Sequence, residues 1–289
     1  MPPVKNDNIG LKRIQKYLVP VLALLSTAGC TFEQKLATRF TQARIVDEFL
    51  MLEPDIVFKY NLKTYEFPGI DTLPEAARDS VMILNSLLLP DIDDSLFIRA
   101  YSDSFFKAIS SYGMSIYPKN YLDTFLLTGR KAIIIHLAQL SLEEYVHPYE
   151  SEEVINDEIV VIDDIDLNAL NYNVWIELSY LNEEGRHQVL FGSDFLLDDL
   201  EGILKQYLFT GETRFDYTID TITTSKIYAF AGEFGKKTAG YLYDYYLNRY
   251  VDENLPKDYQ YERYYYHYDP EKKRAYPVDP ANSLIELSK

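Results

Sequence analysis

The chain has 289 residues, with 28 Lys and Arg against 45 Asp and Glu and a formal net charge of −17. Such a surface repels phosphate backbones and anionic head groups, which argues against nucleic acid as a partner and against electrostatic adsorption as a route to lipid. With 47% hydrophobic residues there is material for one large core or two smaller ones, and the single cysteine, Cys30, leaves no intrachain disulfide, so packing has to hold the fold.

The first thirty residues have a composition of their own. Lys5, Lys12, Arg13 and Lys16 precede an apolar run over 17–25, which ends in Ser26, Thr27, Ala28 and Gly29 directly before Cys30. A basic stretch, a short apolar run and small residues before a cut make a secretory signal. With cysteine at the junction, the segment resembles the signal peptide of a bacterial lipoprotein, although Thr27 stands where that family usually has Leu. The resemblance implies that residues 1–29 are removed and that Cys30 takes the lipid, palmitate included, and becomes the new N-terminus. Because Thr31 and not Asp follows, it also implies an outer-membrane protein facing the periplasm. A spanning helix needs about 20 consecutive apolar residues. Residues 17–29 are fewer and include Pro20. Removal takes four bases and only Asp7 away, leaving about −20 on the mature chain.

Beyond Cys30 the periodicities predict an α+β fold, an antiparallel or mixed sheet packed against helices, with a long C-terminal helix and an extended tail. Residues 30–52, with Leu36, Phe40, Ile45, Phe49 and Leu52 three to five apart, read as a lipid attachment and helical or irregular tether. The α+β domain then runs over 53–256. Ile56, Phe58, Tyr60 and Leu62 alternate with Val57, Lys59 and Asn61, which predicts a strand with the former set buried. Helices are expected over 74–88, opened by Pro74, and over 95–112, capped from the acidic loop 90–94 and ended by Gly113.

Residues 133–135, apolar on both faces, predict a central strand. The clearest alternation in the chain is Leu170, Tyr172, Val174, Ile176, Leu178 and Tyr180 against Asn171, Asn173, Trp175, Glu177 and Ser179. A hairpin loop at 182–185 should return 186–191 antiparallel, with a helix over 194–208 and a long one over 227–251. Residues 257–289 read as a Tyr-rich, Pro-containing tail, extended on the surface from Asp269 onward.

The motifs that would carry chemistry are incomplete. The Gly-rich stretch 229–240 lacks the first cradle glycine of a phosphate loop, Phe230 standing in its place, while Ala231, Gly235 and Ala239 recur every four residues as a smooth packing face. Asp164, Asp166 and Asn168 open a calcium-loop spacing, but Ala169 and Trp175 occupy the positions of the turn Gly and the bidentate Glu. His136, His147, His187 and His267 have no zinc-ligand spacing, and Ser193 lacks the second glycine of a nucleophile elbow. Glu143 and Glu144, or Asp198 and Asp199, point to opposite faces if they lie on strands. No catalytic residue, metal or cofactor is therefore expected.

The remaining oddity is 26 tyrosines, with Tyr259, Tyr261, Tyr264, Tyr265, Tyr266 and Tyr268 crowded after the last helix. They are a candidate binding surface for a protein or a glycan, or the fastening of the tail to the domain. The expected role is that of a non-enzymatic accessory or assembly partner of other envelope proteins, held to the membrane by its lipid. The alternatives are a glycan- or peptidoglycan-binding lipoprotein and, behind it, a periplasmic hydrolase.

Overall fold

The computed structural model describes residues 32–43, 48–64, 67–127, 132–155, 158–181, 187–206, 213–260, 263–280 and 283–287. Cys30, the signal segment and Tyr261 lie outside them. Among the described residues two compact units emerge, one within 46–245 and 281–289, the other from residues 32–43 with 246–280.

The larger unit is built on a seven-stranded mixed sheet. Its strands are β1 (Glu48–Leu52), β2 (Phe58–Asn61), β3 (Ser115–Pro118), β4 (Ala132–Ile155), β5 (Glu158–Tyr180), β6 (His187–Leu197) and β11 (Ile285–Leu287). They run in the order β11-β6-β5-β4-β1-β3, with β2 also paired to β4. β4 pairs with β5 along nearly its whole length, so β1 and β2 follow one another along the opposite edge of β4, both parallel to it. The remaining strands are β7 (Asp199–Gln206) and β8 (Thr213–Asp220), a separate antiparallel ribbon.

The clear alternation of β5 is reproduced: Leu170, Tyr172, Val174, Ile176 and Leu178 are all fully buried. They face α3 (Asp94–Ser111) and α5 (Thr224–Asn254). Tyr172 is the hinge of that layer, its ring 5.7 Å from Phe97 of α3 and 4.7 Å from Phe230 of α5. Its hydroxyl donates to the Ile227 carbonyl at 3.2 Å, and burial pushes its pKa up. Asp93 caps α3 by accepting from Leu96 N–H at 2.9 Å, and Gly113 follows the helix with a φ of 80° that only glycine adopts without strain. The expected small-residue face of α5 is also present. Ala231 and Ala239 are buried, and a Cβ on Gly235 would collide with the Tyr101 backbone of α3.

Five expectations change. Residues 48–52 form a strand, not a tether, since Glu48–Leu52 is flanked by parallel partners on both sides and its centre is buried. Residues 194–206 are strand, not helix: β6 continues to Leu197 beside β5, and β7 follows at once. In β2 the alternation is right and the buried face reversed. Ile56, Phe58, Tyr60 and Leu62 are exposed, whereas Val57, Asn61 and Lys63 are buried. The expected surface tail contains instead a hairpin, β9 (Tyr265–Asp269) and β10 (Arg274–Val278), and β11 joins the main sheet beside β6. The helix expected over 74–88 is shorter, α2 (Glu75–Leu84), with Pro74 as its cap.

The smaller unit contains α1 (Phe32–Ala43), the end of α5 from residue 246, and the β9–β10 hairpin. Gln34 donates to the Ala275 carbonyl at 2.8 Å, and the Phe40 ring lies 5.4 Å from Tyr250. Asn248 imitates a strand neighbour, accepting from Tyr266 N–H at 2.7 Å and donating to its carbonyl at 2.8 Å. Tyr266 itself is only 1% exposed.

Candidate binding face

Two features of the larger unit bring polar or aromatic side chains together: a network buried on the helix side of the sheet, and the opposite sheet face.

The network centres on Glu144 of β4. Lys63 Nζ lies 2.8 Å from its Oε1 and donates also to Asn168 Oδ1 at 2.9 Å. The amide N–H groups of Leu87 and Leu88 donate to its two oxygens at 3.1 and 3.0 Å, and Ser86 Oγ donates to Oε2. Burial alone would raise the Glu144 pKa and is the largest single influence. The hydrogen bonds from Lys63, Ser86 and Leu88, with the attraction of the Lys63 charge, together outweigh it and hold the carboxyl below the usual carboxylate range.

Asn168 passes the network on to Asp198, which accepts from the Asn168 N–H and Nδ2 at 2.9 and 2.8 Å and from Ile222 N–H at 2.7 Å. A depression of about 390 Å³ opens beside it, lined by Asp91, Asn168, Asp198 and residues 221–224. Both carboxylates are thus already supplied with donors. That is the chemistry of a strut pinning the 86–89 turn to the sheet.

The opposite sheet face is set by register. Rows of side chains cross the strands: Gln139, Trp175, Phe191 and Ile285; then Phe58, Ser141, Asn173 and Ser193; then Tyr60, Glu143, Asn171 and Phe195. Trp175 and Phe191 touch with ring centroids 4.8 Å apart. Ser141 and Asn173, short and polar, are buried. At the β3 end this face is covered by α4 (Leu122–Leu127), whose Leu122 and Phe125 pack with Leu50, Leu52 and Ile134. Over its middle rows it is open, with Phe58 at 38% exposure, Tyr60 at 39%, Phe195 at 55% and Ile285 at 59%, and beyond Asn171 it closes again, where Ala169, Leu167 and Ile165 of β5 are buried.

The face carries an acid in two places. Glu177 sits between His136 and His187, 3.4 Å from His136 Nδ1 and 3.9 Å from His187 Nε2. Ser179 Oγ is 3.4 Å from His187 Nδ1. Ser, His and Glu thus share one surface, the serine and the carboxylate lying on opposite nitrogens of His187 at 3.4 and 3.9 Å, both longer than a strong hydrogen bond. Glu143 makes no ion pair among the described residues; Tyr60 and Asn171 flank it across the strands.

The residues singled out from sequence are dispersed. Residues 229–240 lie inside α5, with no phosphate loop. Asp164, Asp166 and Asn168 alternate along β5 and not around a loop, and Asn168 is already engaged. Among the described residues no three His, Cys, Asp or Glu come together to hold a metal. His136 is an interstrand side chain on the open face. Ser193 lies in β6, and Glu143 and Glu144 point to opposite faces as adjacent strand residues must. Of the C-terminal tyrosines, Tyr266 is buried, Tyr264 is 53% exposed, and Tyr259, Tyr265 and Tyr268 are half-buried.

The aromatic rows were only partly legible. Alternation places Asn171, Asn173, Trp175, Glu177 and Ser179 together, but it puts Phe58 and Tyr60 on the buried side, and Phe195 and Ile285 carry no signal of their own. Comparisons with family models, with curated proteins and with solved structures find no match.

Proposed function

We propose that the chain is a non-enzymatic, lipid-anchored protein of the bacterial cell envelope, serving as an accessory or assembly partner that docks another envelope protein on the open face of its sheet. The anchor rests on the lipoprotein-like segment ending at Cys30. The binding role rests on one observation: apolar side chains from four strands, Phe58, Tyr60, Trp175, Phe191, Phe195, Ile285 and Leu287, share a sheet face on which five of the seven are more than a third exposed. Water-facing apolar surface of this extent is costly to maintain unless something covers it, and aromatic residues contribute most to such contacts.

A photo-crosslinking residue at Phe195 tests the reading in cells. A discrete adduct at that position, lost when the same probe is moved to the exposed Glu233 of α5, is the expected result. Equal or no labelling at both positions overturns it.

A further inference from the structure

The charge of the open face points to the chemistry of what covers it. β4, β5 and β6 contain no Lys or Arg at all. The only base in the other strands of the sheet is Lys59 of β2, and it lies on the helix side, 2.7 Å from Asp94. Among the described strand residues the open face therefore presents acids without Lys or Arg. Glu177 is flanked by two histidines, but Glu143 has no cation among the described residues, and Tyr60 stands directly beside it in the cross-strand row.

A carboxylate next to an aromatic ring is a ready seat for Arg or Lys: the stem or guanidinium plane lies on the ring, and the charge meets the carboxylate. On an apolar surface partly shielded from water, such a pair is held more strongly than one in bulk solvent. The −17 charge of the chain adds long-range attraction for a basic partner and opposes pairing of this face with a second copy.

We infer that the open sheet face docks a basic, apolar segment of another protein, with an Arg or Lys of that segment seated on Tyr60 and paired with Glu143. This rests on the proposal that the face is a docking surface, and names the chemistry of its occupant.

Fluorescence anisotropy on the full chain tests it with two synthetic peptides, one alternating Arg with Leu and one alternating Gln with Leu. Because any acidic protein attracts a cationic peptide, Glu143→Gln is compared with Glu233→Gln, which removes the same charge from α5. The expected result is that the Arg peptide binds more tightly than the Gln peptide, that Glu143→Gln weakens the Arg peptide by about tenfold, and that Glu233→Gln weakens it by less than about twofold. Tyr60→Ser should reproduce the effect of Glu143→Gln with an unchanged melting midpoint, its side chain being exposed.

Equal weakening by Glu143→Gln and Glu233→Gln, or equal binding of the two peptides, overturns the inference. The double variant Phe195→Ser with Ile285→Ser separates the two levels. If it abolishes binding while Glu143→Gln has no effect, the docking face stands and the cation seat fails. If it leaves both peptides bound as before, the docking face fails as well. Chitooligosaccharide in the same assay, bound more tightly than either peptide and lost in Trp175→Ala, would assign the face to glycan and overturn the inference.

Discussion

At the scale of single residues, adjacent glutamates have opposite fates. Glu143 faces the open side of the sheet, and Glu144 is fully buried with Lys63. A buried pair of this kind contributes little net stability against a well-packed apolar substitute, but removing one partner strands the other charge away from water. Glu144→Gln should therefore cost about 3–5 kcal/mol in a denaturant melt, and Glu143→Gln under about 1 kcal/mol. The pH dependence follows from the lowered pKa of Glu144. Its contribution is present in full above the pKa of the unfolded carboxyl and is lost as pH falls through the lower folded-state value. Stability of the parent should thus decline on acidification below about pH 4 more steeply than that of Glu144→Gln, a difference readable from urea midpoints across that window.

At the scale of elements, two packing contacts carry the larger unit. The first is β5 against the helices. Ile176 is fully buried and Glu177, its neighbour, lies on the open face, so Ile176→Ala should cost about 2–5 kcal/mol and Glu177→Ala under about 1 kcal/mol. Equal losses in chemical denaturation would contradict the assigned faces. The second is α5 against α3. Alanine has a higher helix propensity than glycine by about 1 kcal/mol, so an exposed Gly→Ala change in a helix is stabilising. At Gly235 the added methyl meets the Tyr101 backbone, and Gly235→Ala should instead destabilise by about 1–3 kcal/mol, seen as a lowered Tm.

At the scale of the whole molecule, the fold supplies a sheet with one face closed by α3 and α5 and the other open over its middle rows, while the proposed address rests on the lipoprotein-like segment. Among the described residues no helix is long and apolar enough to cross a membrane, and attachment is expected through Cys30. The Cys30→Ser variant should fail to incorporate labelled palmitate and should retain its signal segment. Labelling equal to that of the parent would show that the thiol is not the acceptor.

What the sequence by itself determined was everything that depends on neighbours a few positions away. The alternation of β5, the capped α3, the small-residue face of α5 and the opposite directions of Glu143 and Glu144 follow from periods of two and 3.6, which decide which side chains share a face. Periodicity cannot say which face is buried, because that depends on what arrives from far along the chain. In β2 the apolar set lost the core to Asn61 and Lys63: Glu144, 81 residues beyond Lys63, waits with α2 and the 86–89 turn on that side, and a buried acid needs its cation more than Phe58 needs a dry contact. Residues 48–52 and 194–206 were likewise decided by strands that pair with them from elsewhere, hydrogen-bond partners that overrode weak helical spacing. The open aromatic face is of the same kind, for its rows exist only once β2, β4, β5, β6 and β11, distant in sequence, are brought into register.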